Sequence, residues 1–243
     1  MDRKILYNFN KILRTGWIQT AFPNNRDGGA GNTLETLLGV RENNKKLPDY
    51  NGIELKTQRS MTSSVVSLFS KSPTGPEKAN TILKERYGES RNGSVGKKLY
   101  ASIRGSKGAQ VYDKYDFSMR VDRRSKKIWL QIVDQMGNTD KEVYWTFQDI
   151  KIAASKLNEL ALFIYDEKKI DGILCFNYFQ IYCYSGFNID EFLNLIQKGK
   201  IQFDLRIGEH HTGANTGRTH DHGSGFRINK DDLKLLYERF RQL

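Results

Sequence analysis

The sequence predicts an α/β fold, in detail an α+β arrangement around a mixed sheet, and three observations carry that prediction. Residues 2–16 place Ile5, Phe9, Ile12 and Leu13 at helical spacing. Residues 127–134, KIWLQIVD, alternate apolar and polar side chains as a half-buried strand does. Glycine- and asparagine-rich stretches punctuate the chain, and most strand candidates follow one another closely enough to pair as hairpins.

The first helix is followed by an Asn/Asp/Gly-rich loop, NNRDGGAGN, and a short helix over 33–38, capped by Asn32 or Thr33 and stopped by Gly39. Strands are expected at 52–57 and 64–70, and a helix at 76–87 ending at Gly88. Residues 89–110 are polar, basic and glycine-rich, and read as a long loop or poorly ordered arm. Strands resume at 115–122, 127–134 and 142–147, followed by a helix at 148–158 and long strands at 160–166 and 172–184. A helix at 188–198, a strand at 201–207, a glycine- and histidine-rich loop at 208–225, a short strand at 226–228 and a helix at 230–241 complete the order.

Charge narrows the function. Lys and Arg number 39 against 28 Asp and Glu, a net +11 that favours polyanionic partners such as nucleic acid. Basic chaperones, ribosomal proteins and membrane-surface proteins share that property. Cys175 and Cys183 lack CxxC spacing and are expected as reduced, buried thiols. No apolar stretch approaches the length of a membrane span, so the expected location is the cytoplasm.

One short stretch, LPDYNGIELK at 47–56, holds a combination suited to phosphodiester chemistry. Glu54 and Lys56 lie two apart on an expected strand, so their side chains leave the same face. Asp49 precedes the strand and can come alongside Glu54 through a bend at Asn51-Gly52. Two converging carboxylates make an oxygen site suited to Mg²⁺, and a lysine beside it can orient a water. The spacing alone is weak, since charged residues alternating on a strand commonly form a solvated face. Glu35, on the preceding helix, supplies a third carboxylate that could complete or buttress a metal site.

The order GNTLETLLGV, LPDYNGIELKTQRS and SLFSKSP resembles the MvaI/BcnI family of restriction endonucleases, within the MutH-like branch of the PD-(D/E)XK nucleases. The likeness continues through KANTILKERYG, VYWTF and IQFDLRIG to GRTHDHGSGFRIN. It implies one MutH-like nuclease unit over 1–243, with a catalytic lobe centred on 1–88 and sheet strands from 111–166. A DNA-recognition lobe would be centred on 172–243. It further implies Mg²⁺-dependent cleavage of double-stranded DNA by a monomer, accompanied in its host by a cognate DNA methyltransferase. Asp49, Glu54 and Lys56 match the family's metal-and-water centre, and Glu35 its helix-borne acid.

All four histidines, His210, His211, His220 and His222, lie between 210 and 222, flanked by Arg206, Arg218 and Arg227. A zinc site, a solvated loop and a base-reading surface are the alternatives. The resemblance favours base reading by Arg206, His220, Asp221, His222 and Arg227. Arg227 lies in FRI, where strand alternation aims it away from Phe226 and Ile228, leaving its guanidinium free for a groove. Family members cut CCNGG-type targets; LFSKSP and HDHG look closer to the MvaI pattern, which implies CCWGG (W being A or T). Lys97, Lys98, Arg104 and Lys107 in the basic arm are expected to contact the DNA backbone. Competing readings are a MutH-type mismatch-repair nickase and a non-catalytic DNA-binding module.

Overall fold

The computed structural model describes residues 3–23, 28–40, 47–62, 65–90, 96–105 and 107–243. The chain forms two compact units, each built from separated segments. The first comprises Met1–Val66, Ser155–Asn188 and Leu233–Leu243; the second comprises Ser67–Ala154 and Ile189–Asp232.

In the first unit the strand Glu54–Arg59 runs parallel to Glu159–Ile170, with Glu54 opposite Leu160. Glu159–Ile170 turns back into Ile173–Phe187 through Asp171 and Gly172, whose φ angles of 50° and 81° suit a tight two-residue hairpin. Trp17–Gln19 and Tyr237–Gln242 both pair antiparallel with Ile173–Phe187. Leu55, Phe163 and Tyr178 from the sheet bury against Ile5, Phe9 and Ile12 of the helix Arg3–Leu13 and Leu34 of the helix Gly29–Leu37. The first helix thus buries the face expected from its apolar spacing.

Two expectations fail here, both through tertiary contacts. The second helix begins at Gly29, not after Asn32 or Thr33, with Gly28 at its N-cap. A Cβ at Gly29 would stand 3.3 Å from the Phe176 ring, so small residues allow this turn to pack closely where propensity disfavours a helix. Thr33, inside the helix, accepts a 3.1 Å hydrogen bond from the Ala21 amide through its hydroxyl. The expected helix at 230–241 is a 3-10 turn, Lys230–Leu236, followed by the strand Tyr237–Gln242. Leu233, Leu236 and Tyr237 fit a helical spacing, but the open edge of Ile173–Phe187 recruits the segment as a strand. Tyr184 then packs on Tyr237 and Phe240, with ring centroids 5.1 and 6.2 Å apart.

The second unit's main sheet runs in the order Val65–Ser70, Gly225–Asn229, Ile201–Glu209, Leu99–Arg104, Tyr115–Asp122, Lys127–Asp134 and Thr139–Asp140. Short strands at Ala109–Val111, Tyr144–Thr146 and Thr219–Asp221 attach to its members. Phe69, Trp145, Phe192, Phe203 and Phe226 form its aromatic core. The basic arm expected over 89–110 is largely sheet: Leu99–Arg104 lies beside Ile201–Glu209, with Leu99 and Ile103 fully buried. Its alternation was masked by the basic and glycine-rich residues around it. Residues 91–95 and 106 of that segment, including Arg91, lie outside the described residues.

Strands between 111 and 134 pair in the second unit's sheet, and Ile173–Phe187 pairs in the first. No helix among the described residues is long and apolar enough to cross a membrane.

Candidate active site

Tyr50 and Ile53 exchange backbone hydrogen bonds, each 2.9 Å, across a turn made by Asn51 and Gly52 at φ of 48° and 86°. Both central residues are left-handed, a conformation that glycine and asparagine tolerate best. The turn folds Asp49 back along the following strand, where its Oδ2 accepts a 2.9 Å hydrogen bond from the Leu55 amide. Burial raises the Asp49 pKa above the ordinary carboxylate value; the Leu55 hydrogen bond opposes that shift, and the nearby Glu54 charge adds to it. The bend expected from the sequence is therefore present, and Asp49 and Glu54 lie within electrostatic reach of each other.

Glu54 is 1% exposed. Its Oε1 accepts from Lys56 Nζ at 2.6 Å and forms an ion pair with Lys156 Nζ at 2.7 Å. Its Oε2 is buried and has no hydrogen-bond partner among the described residues. A buried carboxylate oxygen is normally satisfied, and hard divalent cations prefer such donors, so this oxygen, on a carboxylate electrostatically coupled to Asp49, fits a Mg²⁺-type ion. Glu35 is half-buried on the helix Gly29–Leu37, which packs beside Glu54–Arg59. Among the described residues no three His, Cys, Asp or Glu side chains converge as a metal cluster.

Lys156 escapes a reading of the sequence. It sits in the 3-10 turn Ser155–Leu157, about a hundred residues from Glu54, and only the pairing of Glu159–Ile170 with Glu54–Arg59 brings it near.

In the second unit, a cleft of 410 Å³ is lined by Tyr100, Ser102, Asp204, Arg206 and His222, among others. Asp204 organises it. Its Oδ1 accepts from Ser102 Oγ and Gln202 Nε2, both at 2.8 Å. Its Oδ2 lies 2.9 Å from Arg227 Nε and 3.4 Å from an Arg206 terminal nitrogen. The Arg227 contact is an ion pair without hydrogen-bond alignment, since Nε has no hydrogen-bond partner among the described residues. The expectation of a free Arg227 guanidinium is thus corrected: its side chain is only 16% exposed and held by Asp204, whereas that of Arg206 is 45% exposed. Phe226 and Ile228 are fully buried, as the alternation required. Asp204 was legible in principle, two residues before Arg206 on the same strand face.

Three histidine rings lie against one another, with His222 lining the cleft. Ring centroids are 4.2 Å apart for His210–His220 and 4.4 Å for His220–His222, with Tyr100 edge-on to His222 at 6.2 Å. Burial, and then the neighbouring His220, lowers the His222 pKa, which favours the neutral ring. The zinc alternative gains no support, because no ligand cluster forms among the described residues. Asp221 holds the loop: its Oδ1 accepts from the Gly223 and Ser224 amides at 3.0 and 2.6 Å, its Oδ2 from Ser72 and Asn80 at 3.2 and 3.0 Å.

The basic residues of the former arm divide. Lys97 Nζ donates to the Glu85 carbonyl at 2.6 Å and pairs with its carboxylate. Arg104 donates to the Gly199 carbonyl at 2.9 Å and to Gln202 Oε1. Lys98 is half-buried and Lys107 exposed. Cys175 and Cys183 are buried free thiols, and burial pushes Cys183 up to about 11.

A family model described as the MvaI/BcnI restriction endonuclease family matches residues 6–237. Among solved structures, the chain is similar to restriction endonuclease MvaI in complex with its cognate DNA substrate, at 30% identity and a TM-score of 0.87. That match covers 100% of this chain and 99% of the other. MvaI in the absence of DNA matches at 28% identity and a TM-score of 0.64, covering 100% and 98%. The comparison with curated protein sequences gives no match. With the family model spanning nearly its whole length and the fold that of MvaI, this chain belongs to the MvaI/BcnI restriction endonuclease family.

Proposed function

We propose that this restriction endonuclease hydrolyses double-stranded DNA at a CCNGG-type site, CCWGG, with Mg²⁺. The observation that carries the chemistry is the turn-locked Asp49 beside buried Glu54, whose Oε2 lacks a partner among the described residues while Lys56 occupies Oε1. Asp49 and Glu54 would hold the cation, and Glu35 would buttress them from the adjoining helix. Bound Mg²⁺ supplies charge stabilisation at the phosphoryl oxygens and lowers the pKa of a water. Lys56, partly exposed, can leave Glu54 to orient the attacking water or to donate to a phosphoryl oxygen. Burial of Glu54 fixes its orientation before DNA arrives.

Sequence reading belongs to the second unit's cleft. Arg206 and Arg227 are suited to guanine O6 and N7, neutral His222 can donate and accept at base edges, and the His220 ring beside it offers further hydrogen-bonding nitrogens. Asp221 serves the same surface by setting the loop between the two histidines. Ser70, in LFSKSP, agrees with the A-or-T choice at the middle base. Lys98 and Lys107 are the freer phosphate contacts; Lys97 and Arg104 would contribute from positions already tied to the protein. The enzyme acts as a monomer in the cytoplasm, opposed by a methyltransferase of the same specificity.

Incubating purified protein with plasmid and Mg²⁺, then sequencing the ends, tests the whole reading. Discrete double-strand fragments whose ends map within CCWGG are expected. Nicked circles alone would instead indicate a mismatch-repair type of nickase, and binding without cleavage a non-catalytic module.

A further inference from the structure

We infer that Lys156 is a positioning residue of the Asp49–Glu54 centre: it anchors Oε1 of Glu54 so that Oε2 faces the divalent cation. The inference rests on the proposed catalytic reading of that centre. Two ammonium groups share Oε1, at 2.6 and 2.7 Å, while Oε2 is buried with no hydrogen-bond partner among the described residues. This division is unusual. Two lysines competing for a free carboxylate would ordinarily take one oxygen each, since that satisfies both oxygens. The Tyr237 hydroxyl, buried in the same unit and within electrostatic range of Glu54, also has no hydrogen-bond partner among the described residues and so does not fill the place.

The two lysines differ in what they are free to do. Lys56 is on the same strand as Glu54 and is assigned to the water or the phosphate, so it must release Oε1 during the reaction. Lys156 comes from the turn leading into the neighbouring parallel strand, beside fully buried Leu157. It needs no second role. With Lys156 in place, Glu54 keeps a cation on Oε1 when Lys56 turns to substrate, and its free oxygen stays aimed. Without it, the carboxylate can rotate and expose either oxygen. Groups that orient metal-ligating carboxylates commonly cost about 10–100-fold in metal affinity or activity when removed.

The test uses the full chain as Lys156→Met, Lys156→Arg, Glu54→Gln and the parent. Ca²⁺ is titrated by calorimetry into each protein bound to a duplex taken from a cleavage site mapped with the parent, and plasmid cleavage is followed against Mg²⁺ concentration. Lys156→Met should bind Ca²⁺ about 10–100-fold more weakly, with half-maximal cleavage moved to higher Mg²⁺. Lys156→Arg should restore both, and the thermal midpoints should agree. Ca²⁺ affinity unchanged or tightened in Lys156→Met, or an arginine variant as weak as the methionine one, overturns the inference. Should Lys156→Met fail to fold, Lys156→Gln is read by the same criteria. Glu54→Gln separates the two readings: cleavage at the parent rate would remove the catalytic assignment itself, whereas its loss beside a normal Lys156→Met removes only the role of Lys156.

Discussion

At the Asp49–Glu54 centre, charge is buried and nearly balanced: two carboxylates face Lys56 and Lys156, and Glu54 has almost no contact with solvent. The cleft around Asp204 is built the other way. One carboxylate holds two guanidiniums, one of them well exposed, and the neighbouring His222 ring lines the cleft. Transition-state stabilisation is strongest where donors are fixed and water is excluded. Base reading needs groups that are aimed yet can exchange water for base edges. The difference between the two sites is that between preorganised chemistry and a surface left open for its partner.

The comparison breaks first at its buried end. Lys56→Ala and Asp49→Ala should each lower cleavage by about two or more orders of magnitude. Affinity for cognate duplex in Ca²⁺ should stay near the parent's, because neither residue reads bases. Cleavage at near-parental speed in either variant would show that the chemistry lies elsewhere.

A smaller effect is expected in the cleft, and it should split by burial. Arg227→Ala should weaken cognate binding by about one to two orders of magnitude, the worth of a bidentate base contact. It should also lower the thermal midpoint, because Asp204 loses its nearest ion-pair partner. His220→Ala should reduce cognate affinity in the same direction with little change in midpoint. Competition titrations on cognate, single-mismatch and random duplexes decide the matter: equal losses on all three would mean that Arg227 positions backbone and reads nothing.

Salt sharpens the contrast between reading and positioning. The logarithm of the binding constant should fall against the logarithm of salt with a slope of about −0.9 per phosphate contact. Neutralising Lys98 and Lys107 together should make the slope shallower by up to about 1.8 on cognate and random DNA alike. An unchanged slope would remove both from the interface.

The smallest effect concerns a carboxylate belonging to neither site. Hydrogen bonds from Thr146, Thr74 and Lys71 hold Asp149 down to about 2. A depressed carboxylate stabilises the fold above its unfolded pKa, and that contribution is lost as pH falls through the folded value. With Asp149 about a third exposed, Asp149→Asn should cost only about 1 kcal/mol at neutral pH. Urea titrations of the two proteins should converge as pH approaches 2. Cleavage measured at neutral pH below the unfolding temperature should be unaffected, in contrast to Lys56→Ala and Asp49→Ala.

Much of this was legible in the chain. The spacing of Ile5, Phe9 and Ile12, the alternation of KIWLQIVD, the Asn51-Gly52 turn and the Glu54–Lys56 pair are local signals, set by helical and strand periods and by glycine's tolerance of left-handed backbone. They determine the elements, the turn that returns Asp49 to its strand, and the residues worth testing. What lay beyond the sequence depends on which segment meets which. Tyr237–Gln242 became a strand because a sheet edge was open, and Gly29 began a helix because Phe176 leaves room only for small residues. Arg227 lost its free guanidinium to Asp204 across paired strands, and Lys156 reached Glu54 through a parallel pairing spanning about a hundred residues. Backbone preference acts over a few residues, while burial and charge pairing act on whatever the fold brings together; the first is written along the chain, and the second exists only once the chain has closed on itself.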